Sequence, residues 1–180
     1  MDRKIRVGDL AMAIGATPKA LRHWLTRYDG IRPSAAQGDS WREFSAKDVA
    51  AFAIARPVID FGYPAEVAYR IAVHALASLW TPKGEILESR LIPSDGAAIL
   101  RGLRAQRLYI ARGAQQNHFR YEIARAGAKS VLADAPALIT IDLHRIVGAA
   151  FEALRPKPAA APAPKTAPRE RYVVERVQAA

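Results

Sequence analysis

The stretch Val7-Gly8-Asp9-Leu10-Ala11-Met12-Ala13-Ile14-Gly15-Ala16-Thr17-Pro18-Lys19-Ala20-Leu21-Arg22-His23-Trp24-Leu25-Thr26-Arg27-Tyr28 decides how the chain begins to fold. Val7, Leu10, Ala11 and Ile14 stand at i, i+3, i+4 and i+7, the apolar stripe of a two-turn helix. Gly15 comes next, where a helix C-cap needs a residue tolerant of the left-handed region. Thr17-Pro18 then supplies an N-cap hydroxyl and a proline for the first helical position. The second stripe is Leu21, Trp24, Leu25 and Tyr28, and the opposite face carries Lys19, Arg22, His23 and Thr26 with Arg27 beside them. Two short helices joined by a turn of about three residues make a helix-turn-helix.

Downstream of this unit the pattern reads as a hairpin and two more helices. Gly30-Ile31-Arg32-Pro33 leads to a polar turn at Gln37-Gly38-Asp39, and Ser40-Trp41-Arg42-Glu43-Phe44 alternates as a short strand. Ser45-Ala46-Lys47-Asp48 has capping-box spacing and opens a third helix with Val49, Phe52 and Ala53 inward. Pro57 is expected to end or kink that helix near Arg56. Gly62 and Tyr63-Pro64 reset the chain into a fourth helix with Val67, Ile71 and Leu76 on its apolar side.

Beyond residue 80 the period changes. Ser94-Asp95 can cap a helix over 97–103, although Gly96 and Gly102 weaken it. Residues 107–112 and 119–125 alternate as strands, with Phe119, Tyr121 and Ile123 on one face. A third apolar run, 137–141, ends at Asp142, the expected N-cap of a helix whose stripe is Leu143, Ile146, Val147, Ala150, Phe151 and Leu154. Residues 155–168 are rich in Pro and Ala and carry Arg155, Lys157 and Lys165, a composition that cannot pack a core.

Composition narrows the function classes. The 180 residues hold 27 Lys+Arg against 17 Asp+Glu, a formal charge of +10, which points to an anionic partner. Residues 1–63, 64–154 and 155–180 carry +3, +3 and +4, so net charge locates no site and clustering must. There is no cysteine, which excludes disulfides, thiolate metal sites and a cysteine nucleophile. No apolar run reaches the ~20 residues of a membrane helix, and the charged start leads straight into a patterned segment, so the expectation is a soluble cytoplasmic protein with no membrane partner. Arg outnumbers Lys and Ala is abundant, as in a bacterium with a GC-rich genome. His23, His74, His118 and His144 show no metal-ligand spacing, and no phosphate loop or nucleophile elbow is present. Enzyme activity, a cofactor and a bound metal are therefore not expected.

The second helix has the chemistry for nucleic acid. Lys19, Arg22, His23 and Arg27 have no acid between them and offer donors to phosphate oxygens and guanine edges. With the hairpin and the later helices, residues 5–72 resemble the DNA-binding domain of the MerR family of bacterial transcription regulators. The resemblance is carried by Val7-Gly8-Asp9-Leu10-Ala11, Leu21-Arg22-His23-Trp24, Ser40-Trp41-Arg42-Glu43-Phe44-Ser45 and Phe61-Gly62-Tyr63-Pro64-Ala65-Glu66-Val67. It implies a winged helix-turn-helix, with Pro18–Arg27 in the major groove and the hairpin wing on the backbone. Arg22 matches the family's recognition-helix arginine, and Arg42 matches the first arginine of its wing. Glu43 and Phe44 depart from that wing signature, the first by repelling phosphate and the second by lacking a hydroxyl. The family's long dimerisation helix is also absent after residue 80, which makes repression the expected mode.

The resulting expectation is a mainly α protein with a small α+β part, in three parts. Residues 1–80 form the winged helix-turn-helix, 81–154 a small α+β unit for dimerisation or sensing, and 155–180 a disordered basic tail that adds affinity for any duplex. Its partners are double-stranded DNA and a second copy of the chain, the latter through the 143–154 stripe and a strand edge. Thr17, Lys19, Arg22, His23, Thr26, Arg27, Trp41 and Arg42 are the expected DNA contacts, Trp41 either packing under the wing or lying on the backbone. Two alternatives stand beside this reading. One is a ligand- or protein-sensing module with Tyr109, Phe119 and Tyr121 lining a pocket. The other is an excisionase-like architectural DNA-binding protein, a class built on the same winged-helix plan but usually shorter.

Overall fold

The helix-turn-helix forms for the local reasons its sequence supplies. A computed structural model describes residues 4–27, 31, 43–83, 85–112, 119–132, 134–135 and 137–156, leaving out the side chains of Arg112 and Phe119. Helix α1 (Val7–Ala13) ends in a turn where Gly15 takes φ +65° and the N–H of Ala16 reaches the Ala11 carbonyl at 2.8 Å. Only a residue without a β-carbon accepts that backbone conformation cheaply. Helix α2 (Pro18–Arg27) is capped by the Thr17 hydroxyl, which accepts the Ala20 N–H at 3.1 Å. Tyr28, nearly all of the expected hairpin (30 and 32–42, with Trp41 and Arg42) and the tail beyond Pro156 lie outside the described residues.

The segment leading into the third helix is anchored near the start of the chain. Phe44 and Ile5 form an antiparallel bridge, with the Phe44 N–H donating to the Ile5 carbonyl at 2.8 Å. Phe44 is buried and meets Phe52 edge-on at 6.2 Å, and Phe52 in turn contacts Tyr69 at 4.8 Å. The phenyl group that departs from the wing signature is thus an anchor in the core. Ser45 and Asp48 close the expected capping box on α3 (Ala46–Asp60): the Ser45 N–H donates to Asp48 Oδ2 at 2.8 Å, and the Asp48 N–H to Ser45 Oγ at 3.3 Å.

Helix α3 corrects the first of the two expectations at Pro57, that the helix ends there. The helix runs through the proline to Asp60 instead of ending near Arg56. Proline removes one helical hydrogen bond, but Pro57 stands only three residues from the end and the helix is enclosed by protein. Every residue from Val49 to Ala55, and Val58 beyond the proline, is buried. The enclosed body of the helix and the buried Val58 hold the more open last turn, with an Arg56–Asp60 ion pair at 2.8 Å across it.

Helix α4 (Ala65–Ser78) packs along α3, and a 3₁₀ turn at Ser89–Leu91 lies against it. Helix α5 (Gly96–Leu103) is capped by Asp95, whose carboxylate accepts the Ala97 and Ala98 N–H groups. Strands β1 (Gln106–Arg112), β2 (Phe119–Arg125) and β3 (Leu138–Asp142) form an antiparallel sheet in the order β2-β1-β3. Helix α6 (Leu143–Ala153) starts at Asp142, whose Oδ1 accepts the Arg145 N–H at 2.9 Å.

One hydrophobic cluster runs from Leu10 and Leu21 through Phe52, Ile71 and Ile99 to Leu108, Leu143 and Phe151, so the core crosses the sequence boundary at residue 80. The α6 stripe is used inside the chain. Leu143, Val147, Ala150, Phe151 and Leu154 are buried, and α6 packs on α1, α3 and α5. Burying one such large apolar side chain stabilises the fold by about 1.5–3 kcal/mol. The stripe expected to join two copies is therefore not available for that purpose.

Candidate nucleic-acid interface

The exposed face of α2 is set by its buried one. Leu21 and Leu25 are buried and Trp24 is half-buried against the core, which rotates Lys19, Arg22, His23, Thr26 and Arg27 outward, all exposed. No ion pair ties up Lys19, Arg22, His23 or Arg27 among the described residues. A guanidinium or ammonium without a protein partner keeps its donors for a ligand.

The two threonines differ in what they can offer. Thr26 Oγ1 donates to the Arg22 carbonyl at 2.9 Å, so its proton is engaged by its own helix and its lone pairs remain. Thr17 Oγ1 accepts the Ala20 N–H and keeps its proton to donate. Phosphate oxygens require donors, so Thr17 suits a backbone contact better than Thr26 does.

Arg22 stands at a shallow depression that also includes Arg6, Val7, Gly8 and Glu43. This brings the start of α1, the middle of α2 and Glu43, just ahead of α3, to one surface. Arg6 carries no signal in the sequence because it precedes the first stripe and belongs to no motif. Glu43 was expected to repel phosphate, but Lys4 Nζ lies 2.6 Å from its Oε1 and offsets its charge locally. That pair joins residues 39 positions apart, so only the folded chain brings it together.

Residues 5–72 match the family model described as MerR HTH family regulatory protein. This part of the chain is a MerR-like helix-turn-helix segment. The match takes in α1 to α3 and the first half of α4, and stops before the 3₁₀ turn, α5, the sheet and α6. No curated protein and no solved structure matches the chain. The MerR-like segment is of the kind that binds DNA in transcription regulators, and α2 is its second helix.

Of the three sheet aromatics expected to line a pocket, Tyr109 and Tyr121 lie on opposite faces, and the Phe119 side chain lies outside the described residues. Tyr121 pairs with Ile110 and packs against the main core, whereas Tyr109 lies on the other face with Ala111 and Leu132. The loop covering that second face is held by Glu122, whose Oε2 accepts Ser130 Oγ–H at 2.6 Å and the Val131 N–H at 2.9 Å. Among the described residues, no three His, Asp or Glu side chains converge as a metal site would require, and no helix is long and apolar enough to cross a membrane. A cleft of about 630 Å³ opens between α3, α4 and the 3₁₀ turn, with Lys47, Arg70 and His74 beside Val73 and Ile92.

Proposed function

We propose that the chain is a sequence-specific DNA-binding transcription regulator that inserts α2 into the major groove and rests its hairpin wing on the adjacent backbone. The observation that carries this reading is the outward face of α2, four cationic or polar-aromatic donors with no acid among them, on a MerR-like segment. Arg22 reads a base edge or clamps a phosphate, Lys19, Arg27 and Thr17 hold the backbone, and Arg42 holds it from the wing. Repression is the favoured mode. The longest helix among the described residues is α3 at 15 residues, so no extended dimerisation helix is available there to couple two subunits for promoter untwisting. A two-fold dimer lengthens the site read, through a surface other than the α6 stripe. Light scattering of the full chain with and without duplex tests that state.

Arg22→Ala is expected to weaken the specific site by ~1–3 kcal/mol and random duplex far less, while Arg42→Ala weakens both by similar, smaller factors. Genome-wide occupancy supplies the operator, and transcript changes on deletion supply the sign of regulation. Wild-type affinity in both variants, with circular dichroism unchanged, rejects the winged-helix reading.

A second reading, small-molecule sensing, is favoured by the cleft between α3, α4 and the 3₁₀ turn. Its volume lies within the ~300–1,000 Å³ usual for ligand sites, and it touches the α3 N-terminus just after the wing. Thermal shift against metabolite pools tests it.

A further inference from the structure

The cations of the extension collect at one end of its helix–sheet layer. Helices α5 and α6 run antiparallel: a β-carbon at Gly96 would stand 3.4 Å from the Phe151 ring, and one at Gly148 3.9 Å from Leu100. The end of α5 therefore lies beside the start of α6. Ala105, at φ 57°, turns the chain from α5 into β1, and its carbonyl accepts the Ala126 N–H at 2.7 Å. That bond fastens the α5–β1 turn to the end of β2. The register sets Gln106 opposite Arg125 and Arg107 opposite Asp142.

Arg104, Arg107, Arg125, Lys129 and Arg145 are thus gathered at the same end, Arg107 half-buried and the others exposed. Of the residues these turns and strand ends bring together, the acidic one is Asp142, and its Oδ1 already accepts the Arg145 N–H. Among the described residues none of the five cations forms an ion pair. Five cations beside one carboxylate leave a surplus of like charge that repels itself, and a polyanion relieves that repulsion.

We propose that this basic end is a second phosphate-backbone contact, by which the extension grips the duplex flanking the segment read by α2. The inference rests on the DNA-binding reading above. It is favoured over an acidic protein partner by the placement of α6 beside the helix-turn-helix. Ile146, Ala149 and Ala150 of α6 share a depression with Arg56 and Asp60 of α3 and with Ala13 and Ile14 at the end of α1, immediately before the turn at 15–17 that launches α2. Contacts of this kind add affinity and fix orientation without choosing sequence.

The test compares the full chain with R104Q/R145Q and with K83Q/R120Q, which removes equal charge elsewhere; Arg120 pairs with Ala111 towards the other end of the sheet. Binding to a mixed-sequence duplex of about three helical turns is titrated over a range of salt. R104Q/R145Q is expected to bind several-fold more weakly and to lower the salt slope by roughly 1.8, about 0.9 per lost phosphate contact. K83Q/R120Q is expected to leave the slope unchanged. Equal slopes in the native chain and R104Q/R145Q, or equal losses in the two double variants, overturn the proposal. Retained DNA affinity with lost binding to polyglutamate also overturns it and assigns the surface to an acidic protein. If the native chain binds no duplex at all, the DNA-binding reading falls and this inference with it. Thermal melts serve as the folding control, with R125Q/K129Q as a second variant should the first unfold.

Discussion

Gly102, in the last turn of α5, lies directly against the Trp80 indole. A β-carbon there would come within 2.3 Å of Trp80 Cζ2 and 3.1 Å of Cε2 and Cη2. Replacing Gly102 with Ala sets two effects against each other. Within a helix Ala is favoured over Gly by about 0.8–1 kcal/mol. Carbon atoms pack at about 3.5–4.0 Å, so the ring must also retreat by over 1 Å. The atoms in the way belong to a rigid, half-buried ring, and overpacking such a place costs about 1–3 kcal/mol. The clash outweighs the propensity gain, and Gly102→Ala is expected to destabilise by up to about 2 kcal/mol. For a chain of this size that lowers Tm by up to about 8 °C. Trp80→Ala removes the obstacle, and in that background Gly102→Ala should turn stabilising by up to about 1 kcal/mol. Urea melts of the four proteins give the coupling, and the reversal of sign is what the contact demands. A stabilising Gly102→Ala in the native background, or the same effect in both backgrounds, refutes the packing of Trp80 on α5.

Asp142→Ala is expected to cost about 0.5–2 kcal/mol by freeing the Arg145 N–H at the start of α6, with Asp142→Asn close to native in thermal melts. The Tyr69 phenol is held above its ordinary range by burial first and by the Asp48 carboxylate second, so the fold binds its proton more tightly than the unfolded chain does. Stability should be intact below the free tyrosine pKa of about 10 and fall as pH rises above it, with one phenolate appearing only on unfolding in the near-ultraviolet. The Asp95 carboxyl is held below its ordinary value by the N–H groups of Ala98 and Ala97, so its cap should persist above the unfolded pKa and be lost only as pH falls through the lower folded one, readable by NMR titration.

The features legible from the sequence are those whose causes are local. Gly15, Thr17, the Ser45–Asp48 box, Asp95 and Asp142 each act on backbone groups within a few residues, so their spacing announces the bond they make. The outward face of α2 is legible for the same reason: a helical period that places Leu21 and Leu25 inside places Arg22 and His23 outside.

Alanine hides much of the rest. Ala50, Ala51, Ala53 and Ala55 are all buried, but alanine is at home on either side of a helix, so nothing announces that α3 is enclosed on every face from Val49 to Ala55 and carries its turn past Pro57. Gly102 reads as a helix breaker because the ring it accommodates lies 22 positions earlier.

By itself the sequence determined the caps, the helical and strand periods, the MerR-like segment and the residues α2 presents, because each is decided by groups close along the chain. Only the tertiary structure decided what covers each apolar face: the α6 stripe, readable as a sticky surface, is closed by α1, α3 and α5. It also decided which charges meet. Lys4 offsets Glu43, and Arg104, Arg125 and Arg145 gather at one end of the sheet. Charge acts through distance in space, and the strand pairing and helix packing that set those distances join residues far apart in the chain.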